Sequence, residues 1–76
     1  MILGEIHGFD SPQHFSDFYR SIGDAVEKQE LTAVPVEQPY ASVMFEERWY
    51  RTAGGQVWRL VNPDFPFKGV FEQVNQ

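Results

Sequence analysis

The chain has 76 residues, a length typical of one small domain, and 42% of them are hydrophobic, too many for a disordered segment. It holds no cysteine, which excludes disulfide bonds and thiolate zinc sites. Because it also shows no basic and apolar leader and no run of ~20 apolar residues, the sequence predicts a single, soluble, cytoplasmic domain over residues 1–76. Six basic against eleven acidic side chains give a net charge of −5, which argues against direct binding to nucleic acid or to a membrane.

The first elements predicted along the chain are a short strand and an amphipathic helix. Residues 2–7 are rich in large apolar side chains and end at Gly8, as a strand does. Ser11 and Pro12 are typical of a helix start, since a serine hydroxyl can accept from an amide of the first turn. The apolar spacing that follows predicts a helix over residues 12–29. Its stripe consists of Phe15, Phe18, Tyr19, Ile22 and Val26.

Four strands are predicted after the helix. The first is an edge strand, because Pro35 cannot donate to a ladder. The next two flank Gly54-Gly55, a pair that supplies the positive φ angles of a two-residue hairpin turn. The resulting order β-α-β-β-β-β predicts an α+β fold with a single helix packed on one face of a small antiparallel sheet. The predicted strands span residues 31–36, 42–52, 56–62 and 70–74.

The sequence leaves two features of the packing open. Gly23 either breaks the helix or allows close packing, since glycine costs a helix about 1 kcal/mol relative to alanine. Residues 63–69, which carry Phe65 and Phe67, either plug the open end of the core or stay exposed. The expected core consists of Phe15, Phe18, Ile22, Val26, Phe45, Trp49, Trp58 and Leu60.

The two-residue turn decides which side chains of the hairpin share a face. It pairs Arg51 with Trp58 and Tyr50 with Arg59, and it places Arg48 and Tyr50 on the face that one helix cannot cover. Because Tyr and Arg are enriched at the centres of protein interfaces, this face is a predicted partner-binding surface. The alternative is a cation–π pair of Tyr50 and Arg59 with no partner. A shift of one residue in register would exchange the two faces.

Acidic side chains concentrate on the predicted helix and the segment after it. They form either an ordinary solvated face or a ridge that steers the domain toward a basic partner. The predicted partner-binding residues are Arg48, Tyr50, Arg59, Asp17, Asp24 and Glu27.

No arrangement of residues indicates catalysis or metal binding. His7 and His14 lack the spacing of a metal site. Glu46 and Glu47 are neighbours on a predicted strand, so their carboxylates point to opposite faces. We therefore predict no catalytic residue, no metal and no cofactor. A small enzyme that uses His7 or His14 with a nearby carboxylate is the least favoured function.

These features favour a small acidic protein-binding module that is not an enzyme. The favoured function is an inhibitor, or an immunity or anti-defence protein, that blocks the surface of another protein. A partner with a basic surface fits the acids, and proteins that handle nucleic acid have such surfaces. The alternative is an accessory or structural subunit that oligomerises through its sheet. The chain itself is expected to be a monomer or a homodimer.

Overall fold

The computed structural model describes residues 3–40 and 45–74 and has the predicted α+β architecture. The strands form one antiparallel sheet in the order β1-β2-β3-β4, and one helix packs on a face of it. The predicted fold class is therefore confirmed. The elements are α1 (Pro12–Glu27), β1 (Leu31–Val34), β2 (Glu47–Thr52), β3 (Val57–Val61) and β4 (Val70–Val74).

The N-terminal segment forms a single bridge where a strand was predicted. Ile6 and Phe71 exchange two backbone hydrogen bonds of 2.8 Å. Beyond Ile6 the chain no longer pairs with β4. The Phe9 ring is buried in the core, and the Phe9 N–H donates to the Lys68 carbonyl at 2.7 Å. The strand predicted for residues 2–7 thus shrinks to one pairing residue, and Ile2 lies outside the described residues.

Helix α1 begins where the sequence predicts. The Ser11 Oγ accepts a hydrogen bond from the His14 N–H at 3.1 Å, and Pro12 occupies the first turn. Gly23 does not break the helix, and a Cβ placed there would meet nothing within 4 Å. After α1 the chain turns toward β1 through Gln29, whose φ of 63° lies in the left-handed region.

The hairpin between β2 and β3 has a three-residue loop, so the predicted two-residue turn is wrong. The Thr52 N–H donates to the Gln56 carbonyl at 2.8 Å, and the Gly55 N–H donates to the Thr52 carbonyl at 3.0 Å. Gly55 has a φ of 90°, the left-handed position at which such loops close.

The extra loop residue shifts the register by one and changes both faces of the sheet. Tyr50 pairs with Trp58, and Trp49 pairs with Arg59. The predicted pairs of Tyr50 with Arg59 and of Arg51 with Trp58 are therefore wrong. Tyr50 and Trp58 face α1, whereas Trp49 and Arg59 lie on the opposite face.

The core between α1 and the sheet is built largely from aromatic rings. Phe71 lies 4.8 Å from Phe18 and stacks on Trp58 at 5.0 Å between centroids. Of the expected core, Ile22, Trp49, Trp58 and Leu60 are buried, and Phe15, Phe18, Val26 and Phe45 are partly buried. The buried cluster consists of Phe9, Ile22, Ala25, Leu31, Tyr50, Trp58, Leu60 and Phe71.

The face opposite α1 carries a second layer, which consists of residues 35–40 and the side chains of β2 and β3 that they contact. Residues 35–40, here called the strap, follow β1, and the strap's Pro35 and Glu37 line a cavity together with Trp49. At its end the Tyr40 N–H donates to the Glu47 Oε1 at 2.8 Å, and the Tyr40 ring lies 5.4 Å from the Arg59 guanidinium. Trp49 is only 3% exposed although α1 lies on the other face of the sheet.

Residues 63–69 divide between core and surface. The Phe67 ring packs on Phe45 with 4.5 Å between centroids and lies 6.3 Å from the Tyr40 ring. Phe65 stays 45% exposed at the tip of the turn that joins Asp64 to Phe67. Phe65 is therefore exposed, whereas Phe67 is partly buried against rings that lie outside the core beneath α1.

Candidate functional site

A groove of about 530 Å³ runs between α1 and the strands β1 and β2. It brings together four of the six predicted partner-binding residues, Asp24 and Glu27 from the helix and Arg48 and Tyr50 from β2. The other two predicted residues, Asp17 and Arg59, lie outside it. The complete lining is Tyr19, Arg20, Gly23, Asp24, Val26, Glu27, Ala33, Arg48 and Tyr50.

Small residues on both walls open this groove. Gly23 leaves the helix wall without a side chain, and Ala33 of β1 is the small, exposed neighbour of Tyr50 across the strands. In the described sheet β1 is an edge strand, so the groove is not walled by a further strand on that side. A segment of another chain can therefore approach the groove from the edge of the sheet.

The groove is basic at one end and acidic at the other. The Arg48 guanidinium lies 5.1 Å from the centre of the Tyr19 ring, and Arg20 is the next helix residue. Asp24 and Glu27 follow one and two helical turns later. The two signs are therefore separated along the axis of α1.

Arg48 is partly committed to neighbours inside the domain. Its Nη1 lies 3.8 Å from the Glu46 Oε2 and 3.5 Å from the Asn62 Oδ1, and its guanidinium rests on Tyr19. Its side chain nevertheless keeps substantial exposure. Arg48 is thus held in position at the mouth of the groove while still open to solvent.

Tyr50 forms the floor of the groove instead of an exposed surface. It is 5% exposed and belongs to the core beneath α1, so its predicted place on an uncovered face is wrong. Burial raises the pKa of the Tyr50 hydroxyl above its ordinary value, Tyr19 raises it further, and Arg48 lowers it. The hydroxyl therefore stays protonated near neutral pH, where it can donate a hydrogen bond.

Arg59 is held within the second layer, away from the groove. Its guanidinium lies 5.5 Å from the centre of the Trp49 ring and 5.4 Å from the centre of the Tyr40 ring. Its Nε lies 3.6 Å from the Glu47 Oε2, its Nη1 lies 3.9 Å from the Glu72 Oε2, and the side chain is 14% exposed. The expectation that Arg59 shares a surface with Arg48 and Tyr50 is wrong, and any role in partner binding stays a prediction.

Asp17 and both histidines make local contacts. The Asp17 Oδ1 accepts a hydrogen bond from Gln13 at 2.7 Å on the exposed side of α1. The His7 Nε2 lies 3.5 Å from the Glu5 carboxylate, and the His14 Nδ1 accepts from the Asp10 N–H at 3.0 Å. Within residues 3–40 and 45–74, no three His, Asp or Glu side chains cluster as metal ligands would.

Comparisons with models of protein families, with curated proteins and with solved structures give no match for this chain. In the part of the chain that the structure describes, no helix has the length and apolar character that crossing a membrane requires. The groove and the charge of the chain are the features of this protein that bear on its function.

Proposed function

We propose that this domain binds another protein through the groove and the acidic side of α1, and that it acts as an inhibitor, or an immunity or anti-defence protein, by covering its partner's surface. The groove is the observation that supports this function. It combines Tyr19, which is 40% exposed, with Arg48 and with the acids of α1, and Tyr and Arg supply much of the binding energy at protein interfaces. Binding, and not catalysis, is the proposed activity.

Charge favours a partner with a basic surface. The chain has a net charge of −5, and Asp17, Asp24 and Glu27 are all exposed on α1. Opposite charges raise the rate of association through long-range attraction. We propose that the partner is a protein that handles nucleic acid, since such proteins carry basic surfaces. We also propose that the two proteins meet in the cytoplasm, where disulfide bonds are rare and a chain without cysteine depends on none.

The test is a pull-down from the native host followed by surface plasmon resonance on the captured protein. Asp24→Lys with Glu27→Lys reverses the groove acids, and Asp64→Lys with Glu37→Lys makes the same change of charge at exposed acids away from the groove. We expect the groove variant to associate about tenfold more slowly and with a weaker salt dependence than the control variant. Equal effects of the two variants would show that the groove is not the binding site.

A second candidate function is an accessory subunit that oligomerises through its sheet. The observation that favours it is the position of β1 at an edge of the described sheet. Such a subunit associates with copies of itself without any other protein, whereas the inhibitor requires a different protein as partner.

A further inference from the structure

The two edges of the sheet differ in what lies beside them. At β4, Ile6 forms its backbone bridge with Phe71, and the Glu5 carboxylate accepts a hydrogen bond from the Gln73 N–H at 3.3 Å. At β1, Thr32 and Ala33 are exposed, and the described sheet has no strand beyond them. Exposed edge strands pair readily with another chain. The β1 edge is therefore the one at which a further strand can be added.

The backbone of β1 presents hydrogen-bonding groups at this edge to which residues 3–40 and 45–74 supply no partner. Thr52 makes its backbone hydrogen bonds on the side of β3. Because this direction alternates along a strand, the N–H and C=O of Arg51 point to β1, where Arg51 pairs with Thr32. Leu31 and Ala33 flank Thr32, so their N–H and C=O groups point away from the sheet.

We infer that two copies of this chain pair through antiparallel β1 strands about a two-fold axis at Thr32. In this register Leu31 of one copy lies opposite Ala33 of the other, and each such pair exchanges two hydrogen bonds between groups that otherwise point to solvent. Thr32 lies opposite its own copy, a cross-strand pair that stabilises sheets. The two sheets thereby become one continuous sheet.

The charges of the groove identify a second copy as the occupant of this edge. An antiparallel two-fold arrangement places the basic end of one groove, at Arg20 and Arg48, beside the acidic end of the other, at Asp24 and Glu27. Because a two-fold axis that relates neighbouring antiparallel strands is perpendicular to the sheet, the two α1 helices lie on the same side of the continuous sheet and run in opposite directions. The basic end of each groove is thus matched by the acidic end of the other copy's groove.

This inference rests on the second candidate function, whose interface it names, and is tested with the chain alone. We expect wild type to sediment as a dimer at about 1 mM and to dissociate on dilution. In the dimer the Leu31 and Ala33 amides should exchange hydrogen more slowly than at low concentration, while the Thr32 amide, already bonded to β2, should not change. A monomer at about 1 mM, or exchange at Ala33 that does not depend on concentration, would overturn the inference and leave the inhibitor function standing, because that function requires a different protein as partner.

Two sets of variants locate the interface. Ala33→Pro removes an outward N–H and leaves the hydrogen bonds to β2 in place, so we expect a folded monomer by circular dichroism and sedimentation. Arg20→Glu and Glu27→Arg should each weaken the dimer about tenfold, and the double variant should restore it, because the pair is exchanged as a unit. Lys68→Glu makes the change of charge of Arg20→Glu outside the groove and should leave the dimer unchanged. A folded Ala33→Pro variant that still forms the dimer, or a double variant weaker than both single variants, would overturn the proposed pairing.

Discussion

The Tyr50 hydroxyl links the groove to the stability of the fold. Its pKa lies above the ordinary value of 10.0, chiefly because of burial, so the folded state holds this proton more tightly than the unfolded state. The resulting stability is fully present below the unfolded pKa and is lost as the pH rises through the folded pKa. We expect the Tm of wild type to fall relative to Tyr50→Phe between about pH 9 and pH 11. Parallel melting curves of the two proteins over that range would contradict the assignment.

Gly69 and Gly23 should respond oppositely to substitution by alanine. Gly69 has a φ of 78°, and a Cβ there would lie 2.8 Å from the Val61 carbonyl oxygen and 3.0 Å from the Phe9 ring. We expect Gly69→Ala to lower the free energy of unfolding by about 2–4 kcal/mol through backbone strain and overlap. Gly23→Ala should raise it by about 1 kcal/mol, because the helix gains propensity and the Cβ meets open space. Urea unfolding measures both changes, and a stabilising Gly69→Ala would refute the backbone described at that residue.

The helix and the hairpin differ in how far local signals determine them. The Ser11 cap and the apolar stripe are contained within α1, so the sequence predicts the helix closely. Gly54-Gly55 is compatible with loops of two or three residues. The Thr52 hydroxyl accepts a hydrogen bond from the Gln56 N–H at 3.1 Å, and this threonine is the local feature that favours the longer loop. Alternation could not decide the register, because both faces of β3 are buried.

Glu47 joins the strap to the sheet, and its removal should weaken the whole second layer. Its carboxylate accepts hydrogen bonds from the Tyr40 N–H and from the Trp49 Nε1 at 2.6 Å, pairs with Arg59, and is 6% exposed. Glu47→Ala leaves these donors unsatisfied and Arg59 dependent on a longer contact with Glu72, so we expect a loss of about 3–5 kcal/mol in unfolding free energy.

Glu37 offers a matched control for Glu47, since it is an exposed glutamate of the strap itself. Glu37→Ala should change the unfolding free energy by less than about 0.5 kcal/mol in the same urea titration. Equal small effects of the two alanine variants would mean that the carboxylate of Glu47 does not hold the strap.

The arrangement of the groove depends on contacts between residues far apart in the chain. The acids of α1 and the arginine of β2 were predicted as binding residues from residue type and local pattern, and the structure places Asp24, Glu27 and Arg48 in one groove. Their meeting depends on where α1 crosses the sheet and on the register of the hairpin, neither of which a local pattern determines. The register error concerns β2. Tyr50, predicted on the face away from α1, lies in the core beneath it, whereas Arg59 keeps its predicted face and is thereby separated from Tyr50.

Two layers share one sheet in this small protein, and its two tryptophans report on them separately. Trp58 stacks on Phe71 beneath α1, whereas Trp49 lies on the opposite face beside the strap. A chain of this size buries only about 60% of its surface, so we expect neither layer to be stable without the other. Trp49→Phe leaves Trp58 as the fluorophore, and Trp58→Phe leaves Trp49. In each variant we expect the urea midpoint of tryptophan fluorescence to equal the midpoint of far-UV circular dichroism. If Trp58→Phe shows a fluorescence midpoint at a lower urea concentration than its circular dichroism midpoint, the side of the sheet that carries the strap unfolds by itself. The prediction of a single domain over residues 1–76 would then be wrong.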